Sequence, residues 1–275
     1  MTVAMKRADL IGALRALGIR EGDVVMVHAS LRALGPVEGG PAGVARALLD
    51  AVGADGTLMA YVSWDRSPYE ATLGGRALPP AQRAAWPAFD PATAQPYSGF
   101  GALNRFILRL PGVRRSPHPD ASMAAVGRRA GALVDVHPLG TGYGPGSPIE
   151  RFVLAGGKVL LLGAPLDAIT ALHYAEALAE IPGKRRVVYE VPVCGADGAS
   201  RWERVEEFDS NGILDCFADE AGPDAVEAIA TDYVALGRHR EARIGGATCR
   251  LFDAVDLVAY GASLPTAESQ ARCSV

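Results

Sequence analysis

GGKVLLLGAPLDAITALHYAEALAE, residues 156–180, is the stretch that decides the fold. Its apolar run Lys158–Leu162 is short, Leu-rich and bounded by Gly, which predicts a buried central strand. A Gly-Ala-Pro turn follows, and then a helix with Leu172, Ala175 and Leu178–Ala179 facing the sheet. In open α/β sheets, ligands bind beyond the carboxyl ends of such strands. The stretch therefore predicts an α/β protein with a site after this strand.

That helix carries His173 and Glu176, whose three-residue separation places them on one face. Asp167 or Thr170 is the expected cap, and either one puts His173 within the first two turns. A helix N-terminus favours the neutral imidazole that a general base needs. The alternative is a packed helix histidine beside an exposed helix glutamate. It stays open because isolated His-x-x-Glu patterns are weak signals.

The flanking segments extend the α/β pattern. We expect helices over 7–18, 44–52, 102–110, 127–136 and 219–236, and strands over 24–28, 57–62 and 247–252. The alternating runs 185–194 and 201–208 predict an antiparallel hairpin. Residues 63–104 are rich in Pro and Gly and predict a long loop, which in a compact protein usually has a function. The prediction is one α/β domain over 1–275, with a mixed sheet, helices on both faces and an antiparallel appendage.

Composition limits the function. The 275 residues carry a net charge of −4, which argues against a nucleic-acid partner and permits a cationic ligand. The four cysteines are scattered without metal-type or disulfide-type spacing. The N-terminus lacks the apolar core of a signal peptide, and no segment has the length of a membrane span. We expect a cytoplasmic protein that binds neither a metal nor a membrane. The sequence does not specify its oligomeric state.

Two segments carry candidate groups for an anionic ligand. Glycines within residues 30–43 let backbone amides approach a ligand, although they match no nucleotide-binding fingerprint and also suit an ordinary strand-to-helix connection. In a basic run, Arg115 offers a guanidinium for phosphate, and Ser116 and Ser122 add hydroxyl donors. For most other arginines of this run, a solvated helix face is the alternative.

An acidic stretch over residues 203–227 can form a negative wall for a polyamine, with a solvated surface as the alternative. Its wall candidates are Asp209, Asp215, Asp219 and Glu220. Asp209 is also a rival of Glu176 as the acid that orients His173.

Collinear motifs along the chain resemble the aminoglycoside 3-N-acetyltransferases, which use acetyl-CoA and do not have the fold of the commoner acetyltransferases. The resemblance covers about residues 6–262. The motifs are VMVHASLRALGPVEGG (25–40), GTLMAYVSWDRSPYE (56–70), FDPATA (89–94), RRSPHPDASMAAVG (114–127), GSPIERFVLAGGKVLLLGAPLDAITALHYAE (146–176) and EEFDSNGILDCF (206–217).

The resemblance implies roles for individual residues. His173 of the T-x-x-H-x-A-E motif becomes the general base, with Glu176 completing the motif and Asp209 preferred as the orienting acid. The implied coenzyme side consists of Ser30, Leu31, Val37, Gly40, Arg115, Ser116 and His118, with Ser122 beside them. The implied antibiotic side consists of Tyr61, Trp64 and Asp65. From the acidic stretch described above, we add Asp209, Asp215 and Glu220 as expected substrate contacts. For His28, a direct role and a packing role remain open.

The expected reaction is direct attack of the 3-amino group of 2-deoxystreptamine on the thioester of acetyl-CoA, which would confer aminoglycoside resistance. Three alternatives remain. One is acetylation of another polyamine or amino sugar. Another is a metal-assisted amidohydrolase built on His28, His118 and His173, and the last is a non-catalytic binding module for coenzyme or polyamine.

Overall fold

The computed structural model describes residues 3–180, 184–195, 197–210 and 225–272. The strands are β1 (Val24–Ala29), β2 (Thr57–Tyr61), β3 (Arg114–Arg115), β4 (Met123–Gly127), β5 (Lys158–Leu162), β6 (Arg186–Cys194), β7 (Ser200–Phe208), β8 (Arg240–Ile244) and β9 (Ala247–Asp253). The helices are α1 (Arg7–Leu17), α2 (Leu31–Leu34), α3 (Gly40–Val52), α4 (Tyr69–Thr72), α5 (Pro80–Ala85), α6 (Leu103–Ile107), α7 (Ala130–Val134), α8 (Pro148–Leu154), α9 (Leu172–Leu178), α10 (Ala225–Ala235) and α11 (Ala254–Arg272).

The main sheet has the strand order β3-β4-β2-β1-β5-β9-β8. Its centre is parallel, because β1 pairs in parallel with both β2 and β5, and Met26 lies between Met59 and Val159. The outer pairs are antiparallel. Central parallel strands are covered on both faces, which explains why β1 and β5 are nearly continuous apolar runs. The predicted mixed sheet is confirmed.

Alternate residues of the central strands serve two cores. Val25 and Val27 of β1 face α1, α3 and α6. Val24 and Met26 face the other side, where α7 to α11 pack. Each fully buried aliphatic side chain contributes about 1.5–3 kcal/mol of transfer free energy, so both layers stabilise the sheet. Helices on both faces are thereby confirmed.

A separate antiparallel sheet is formed by β6 and β7, in register from the pair Arg186 and Phe208 to the pair Cys194 and Ser200. It has a small core of its own around Tyr189, Val191 and Val205. The backbone amide of Phe89, in the long loop, donates a hydrogen bond to the carbonyl of Pro192 at 2.8 Å. This sheet is the predicted antiparallel appendage.

Some elements are shorter than predicted, and others were not predicted. Residues 123–127 form β4, whereas a helix was expected to begin at Gly127; the helix that follows is only Ala130–Val134. This run consists largely of small residues with low strand propensity. It forms a strand because both of its faces are buried. The strand β8 and the long helix α11 were not predicted. Of the expected helix over 219–236, residues 219–224 lie outside the described residues.

Helix α9 also differs in detail from its prediction. Neither Asp167 nor Thr170 caps it; Ala171 is the N-cap residue and has no capping side-chain bond. Asp167 lies instead in a 3₁₀ turn, Leu166–Ala168, that separates the helix from β5. Leu178 was expected to face the sheet but is 43% exposed, because the short helix ends there.

The chain turns sharply where β5 ends. Gly163 has φ of +72°, and a Cβ atom at this position would lie 2.7 Å from the Cβ of Ala247. A glycine therefore allows the chain to leave the sheet between two close neighbours. The carboxyl ends of β1, β2 and β5 meet at this edge. Within the described residues, the helices lack the combination of length and hydropathy that crossing a bilayer requires.

Candidate active site

A cleft of about 1170 Å³ opens at the carboxyl ends of the parallel strands. Its walls come from the ends of β1 and β2, the turn after β5, the start of α9, the long loop and the β6–β7 sheet. Residues far apart in sequence therefore meet at one sheet edge, which is where open α/β sheets bind ligands.

His173 and Glu176 form a hydrogen-bonded pair in this cleft. The Nδ1 atom of His173 lies 2.9 Å from Oε2 of Glu176. The Glu176 side chain is only 3% exposed, whereas that of His173 is 23% exposed and borders the cleft. When the carboxylate is the acceptor, Nδ1–H is the donor and Nε2 carries the lone pair. This arrangement suits a general base held by an orienting acid.

Two tyrosines support the imidazole. The Tyr143 ring packs on His173 with centroids 4.8 Å apart. Its hydroxyl lies 2.7 Å from that of Tyr61, at the end of β2. Burial raises the pKa of both phenols well above the usual value, so both stay protonated. The Tyr61–Tyr143 contact thus ties β2 to the ring that faces His173.

Carboxylates dominate the charge of the cleft. The acidic lining residues are Asp65, Glu70, Asp120, Asp167, Glu176 and Glu207. Among the lining residues that the structure describes, Arg32 is the single Lys or Arg. Burial raises the pKa of Asp120, which also accepts a hydrogen bond from the Ser67 hydroxyl at 2.8 Å. Such a wall favours polycations, because several fixed carboxylates act together in one concave site.

Glu207 is the most enclosed acid of the β6–β7 side. Its side chain is 8% exposed. The Tyr189 hydroxyl donates to its Oε1 atom at 2.7 Å, while Oε2 lies 3.6 Å from Nε2 of His118. Sequence reasoning missed both Glu207 and Asp120. Both residues lie in motifs given above. For Glu207, the alternation of side chains along β7 indicated two possible faces. Which face meets the cleft depends on the tertiary structure.

Asp209, the other acid considered for orienting His173, is paired with an arginine. Its Oδ2 atom accepts a hydrogen bond from Nε of Arg185 at 2.8 Å. Glu176 is hydrogen-bonded to His173, and the orienting role expected of Asp209 stays a prediction. Asp215 and Glu220, expected in the antibiotic wall, lie outside the described residues.

The residues expected on the antibiotic side, Tyr61, Trp64 and Asp65, all line the cleft. Trp64 is 4% exposed and packs on Phe89 with ring centroids 5.5 Å apart. Its contribution is therefore a rigid wall, while Asp65 supplies a carboxylate. Direct contact with an antibiotic stays a prediction for each.

Of the glycine-loop residues expected on the coenzyme side, Ser30 and Leu31 line the cleft. Ser30 also caps α2, accepting from the Ala33 amide at 3.3 Å. Val37 is 7% exposed and forms a β-bridge with Met5, and Gly40 begins α3. Neither Val37 nor Gly40 is among the lining residues.

Arg115 and Ser122 are bonded within the protein rather than presented to the cleft. The guanidinium of Arg115 donates to the Val62 carbonyl at 2.5 Å and to the Ser122 hydroxyl at 3.1 Å. Ser122 in turn donates to the same carbonyl at 2.9 Å. Burial lowers the pKa of Arg115 to about 10. These contacts fix the start of the long loop.

Ser116 and His118 are fully buried. Ser116 Oγ accepts from the Met123 amide and pairs with Nδ1 of His137, both at 2.9 Å. Nδ1 of His118 accepts from the Ala121 amide at 3.0 Å. The R-S-x-H-P motif is therefore a hydrogen-bonded framework behind the cleft, and coenzyme contact by its residues stays a prediction without support from this geometry.

His28 lies at the end of β1 and lines the cleft. The metal-dependent alternative requires His28, His118 and His173 to converge. Over the described ranges, no three His, Cys, Asp or Glu residues are grouped as metal ligands would be.

Comparisons with known proteins agree with these motifs. A family model described as Aminoglycoside 3-N-acetyltransferase matches residues 26–264. Aminoglycoside N(3)-acetyltransferase III of Serratia marcescens is 61% identical over 260 residues, which cover 94% of this chain and 95% of that protein.

Two similar solved structures carry ligands. The structure of AAC-VIa bound to sisomicin has a TM-score of 0.92 and 52% identity, covering 97% of this chain and 99% of the other. The binary structure of AAC-IIIb with CoASH has a TM-score of 0.89 and 40% identity, covering 98% of both chains.

Proposed function

The chain belongs to the aminoglycoside 3-N-acetyltransferase family, and we propose that it acetylates its substrate through a His173–Glu176 pair. The acetyl group moves from acetyl-CoA to the 3-amino group of a 2-deoxystreptamine ring. The observation that carries this proposal is the 2.9 Å contact between His173 Nδ1 and the buried Glu176 carboxylate at the edge of an acidic cleft.

A free aminoglycoside is a polycation, and a protonated amine has no lone pair for attack. His173 Nε2 takes one proton from the 3-ammonium group, and Glu176 stabilises the imidazolium that results. The amine lone pair then forms the C–N bond to the thioester carbon, whose carbonyl π electrons move to oxygen. Collapse of this intermediate breaks the C–S bond, and CoA leaves as thiolate. The second amine proton is lost to solvent, which gives a neutral amide.

The acidic wall supports an aminoglycoside as the substrate. Asp120 and Glu207 come from different parts of the fold yet line one cleft, and they can attract the ammonium groups that do not react. Sisomicin bound to AAC-VIa shows that a similar protein takes an aminoglycoside. Another amino sugar or polyamine would meet the same charges and remains the second candidate substrate.

The β1 end of the cleft supports acetyl-CoA as the second substrate. Ser30 and Leu31 line it, and the only Lys or Arg among the described lining residues, Arg32, follows them directly. The bound CoASH of AAC-IIIb is the corresponding finding in a similar protein. The Ser30 hydroxyl and nearby backbone amides are candidate donors to the developing oxyanion, where one donor typically contributes about 3 kcal/mol.

Acetylation turns a cationic hydrogen-bond donor into a neutral amide, so the antibiotic loses a charge that its target recognises. The consequence for a cell is aminoglycoside resistance. We place the reaction in the cytoplasm, in keeping with the free thiols of Cys194 and Cys249.

A thiol-release assay with acetyl-CoA and a panel of aminoglycosides tests this proposal. We expect turnover with 2-deoxystreptamine antibiotics and none with a derivative blocked at the 3-amino group. Equal turnover of the blocked derivative would exclude 3-N-acetylation. Release with simple polyamines alone would favour the second candidate substrate, and a lack of release with any amine would indicate a binding module.

A further inference from the structure

His28 faces the catalytic side of the sheet. Side chains alternate along β1, so His28 shares a face with Val24 and Met26, which belong to the core beneath α9. Its neighbour across the parallel pair with β5 is Leu161, on the strand that leads to His173. His28 and His173 therefore line the same cleft from adjacent strands.

The Nε2 atom of His28 is enclosed and has no hydrogen-bond partner in the described parts of the chain. Buried polar atoms are nearly always bonded, so each exception calls for an explanation. The residue itself is partly exposed towards the cleft. The described residues supply no hydrogen bond to Nε2, and a ligand in the cleft can supply one to the ring.

The charge state of His28 limits what it can do. Burial, reinforced by the nearby His173, lowers the pKa of His28 to about 4. The ring is therefore neutral near pH 7, with one N–H and one lone pair. A neutral imidazole N–H donates a hydrogen bond but does not give up its proton under these conditions. The interaction with His173 also keeps His28 neutral while His173 holds the substrate proton.

We propose that His28 is a catalytic residue of this transfer, whose imidazole N–H donates a hydrogen bond to the thioester carbonyl oxygen as that oxygen becomes an oxyanion. The inference rests on the function proposed above. As the amine nitrogen bonds to the carbonyl carbon, the π pair moves to oxygen and is held by the N–H, which stays on His28. The pair returns to re-form C=O when the C–S bond breaks.

This division of labour fits the positions of the two histidines. His173, hydrogen-bonded to Glu176, gains positive charge when it takes the amine proton. Among the described residues, no carboxylate is paired with His28, so its ring stays a neutral donor. Ser30 is the rival donor: its oxygen accepts from the Ala33 amide as the cap of α2, which holds the side chain but leaves its O–H free to donate, so the His28 variants decide between the two. Donors aimed at a developing oxyanion act mainly on turnover, because they interact more strongly with the transition state than with the substrate.

Replacement of His28 tests the assignment. His28→Leu removes both ring nitrogens, His28→Asn offers an amide N–H near the position of Nδ1, and His28→Gln offers one near Nε2. We expect kcat for aminoglycoside acetylation to fall roughly 100- to 1000-fold in His28→Leu. The Kd for CoA and the KM for the antibiotic should change less than threefold. The amide variant that replaces the donor nitrogen should recover at least tenfold of the lost kcat.

Met26→Leu is the matched control, since Met26 is a fully buried residue on the same strand and face. It should keep wild-type kcat. A kcat of His28→Leu within threefold of wild type would overturn the assignment, as would an equal loss in all three His28 variants. If His28→Leu does not fold, the decision passes to the two amide variants: the proposal requires that they differ by at least tenfold in kcat, and equal values would refute it. Absence of turnover in the wild-type protein would instead refute the proposed function.

Discussion

Replacing Glu176 by Gln is the most direct test of the catalytic pair. The change keeps the size of the side chain but removes the negative charge that stabilises the His173 imidazolium. A hydrogen bond to a charged group contributes about 1.5–3 kcal/mol, and a neutral one about 0.5–1.5 kcal/mol. The bond is 2.9 Å long and the carboxylate only 3% exposed, so solvent screens it little. The difference, about 1–2 kcal/mol, corresponds to a roughly 5- to 30-fold loss of kcat.

The assay is steady-state thiol release across pH 5.5–9 with a saturating aminoglycoside. Protonation of His173 becomes harder without the carboxylate, so the acidic limb of the kcat/KM profile should move to lower pH in Glu176→Gln. The affinity for CoA, measured by titration, should stay within twofold of wild type, because Glu176 lies beneath His173 and binds no substrate in this mechanism.

Asp209→Asn is the matched control, because Asp209 was the rival for the orienting role and is bonded to Arg185. We expect it to leave the pH profile of kcat unchanged. The reasoning is refuted if Asp209→Asn lowers kcat more than Glu176→Gln does, or if the acidic limb does not move in Glu176→Gln.

Three further predictions concern the base, the acidic wall and the framework. His173→Ala should lower kcat at least 100-fold in the thiol-release assay and leave CoA binding, measured by titration, nearly intact. A near-normal kcat would exclude His173 as the base. Glu207→Gln should raise the KM for aminoglycosides roughly 10- to 100-fold and make that KM less dependent on salt. The control is Glu206→Gln, whose side chain is 54% exposed, and it should change the KM less than threefold. Ser116→Ala leaves the Met123 amide and His137 without their buried partner, which should cost about 1–3 kcal/mol and lower Tm by roughly 2–12 °C in calorimetry. A weakened CoA affinity of folded Ser116→Ala would show that the motif contacts the coenzyme after all.

Local signals in the sequence were sufficient for the central part of the fold. The Gly-bounded run Lys158–Leu162 and the first strand are apolar on both faces, and this pattern is typical of parallel strands buried between helices. The three-residue spacing of His173 and Glu176 is set by helix geometry alone, and the structure pairs them. By contrast, β4 consists of small residues whose strand conformation depends on burial between neighbours that are distant in sequence.

The limits of sequence reasoning at the site have the same origin. Asp209 and Glu207 are two residues apart near the end of one hairpin, yet Asp209 meets Arg185 while Glu207 lines the cleft. Which of two neighbouring acids faces a distant histidine depends on the docking of the whole β6–β7 sheet. Similarly, Ser116 and His118 have the side chains of a phosphate-binding motif but are fully buried. Residue type indicates possible chemistry, whereas accessibility is a property of the folded chain.

The division of the cleft between two sheets has an evolutionary consequence. The main sheet and α9 hold the proton-transfer pair, while the separate β6–β7 hairpin contributes Val187, Glu207 and Phe208 to the opposite wall. Exchange of hairpin residues can therefore retune which drug is accepted without disturbing the groups that break and form bonds. Under changing antibiotic pressure, we expect adaptive substitutions to accumulate on this hairpin, with the reaction machinery inherited intact.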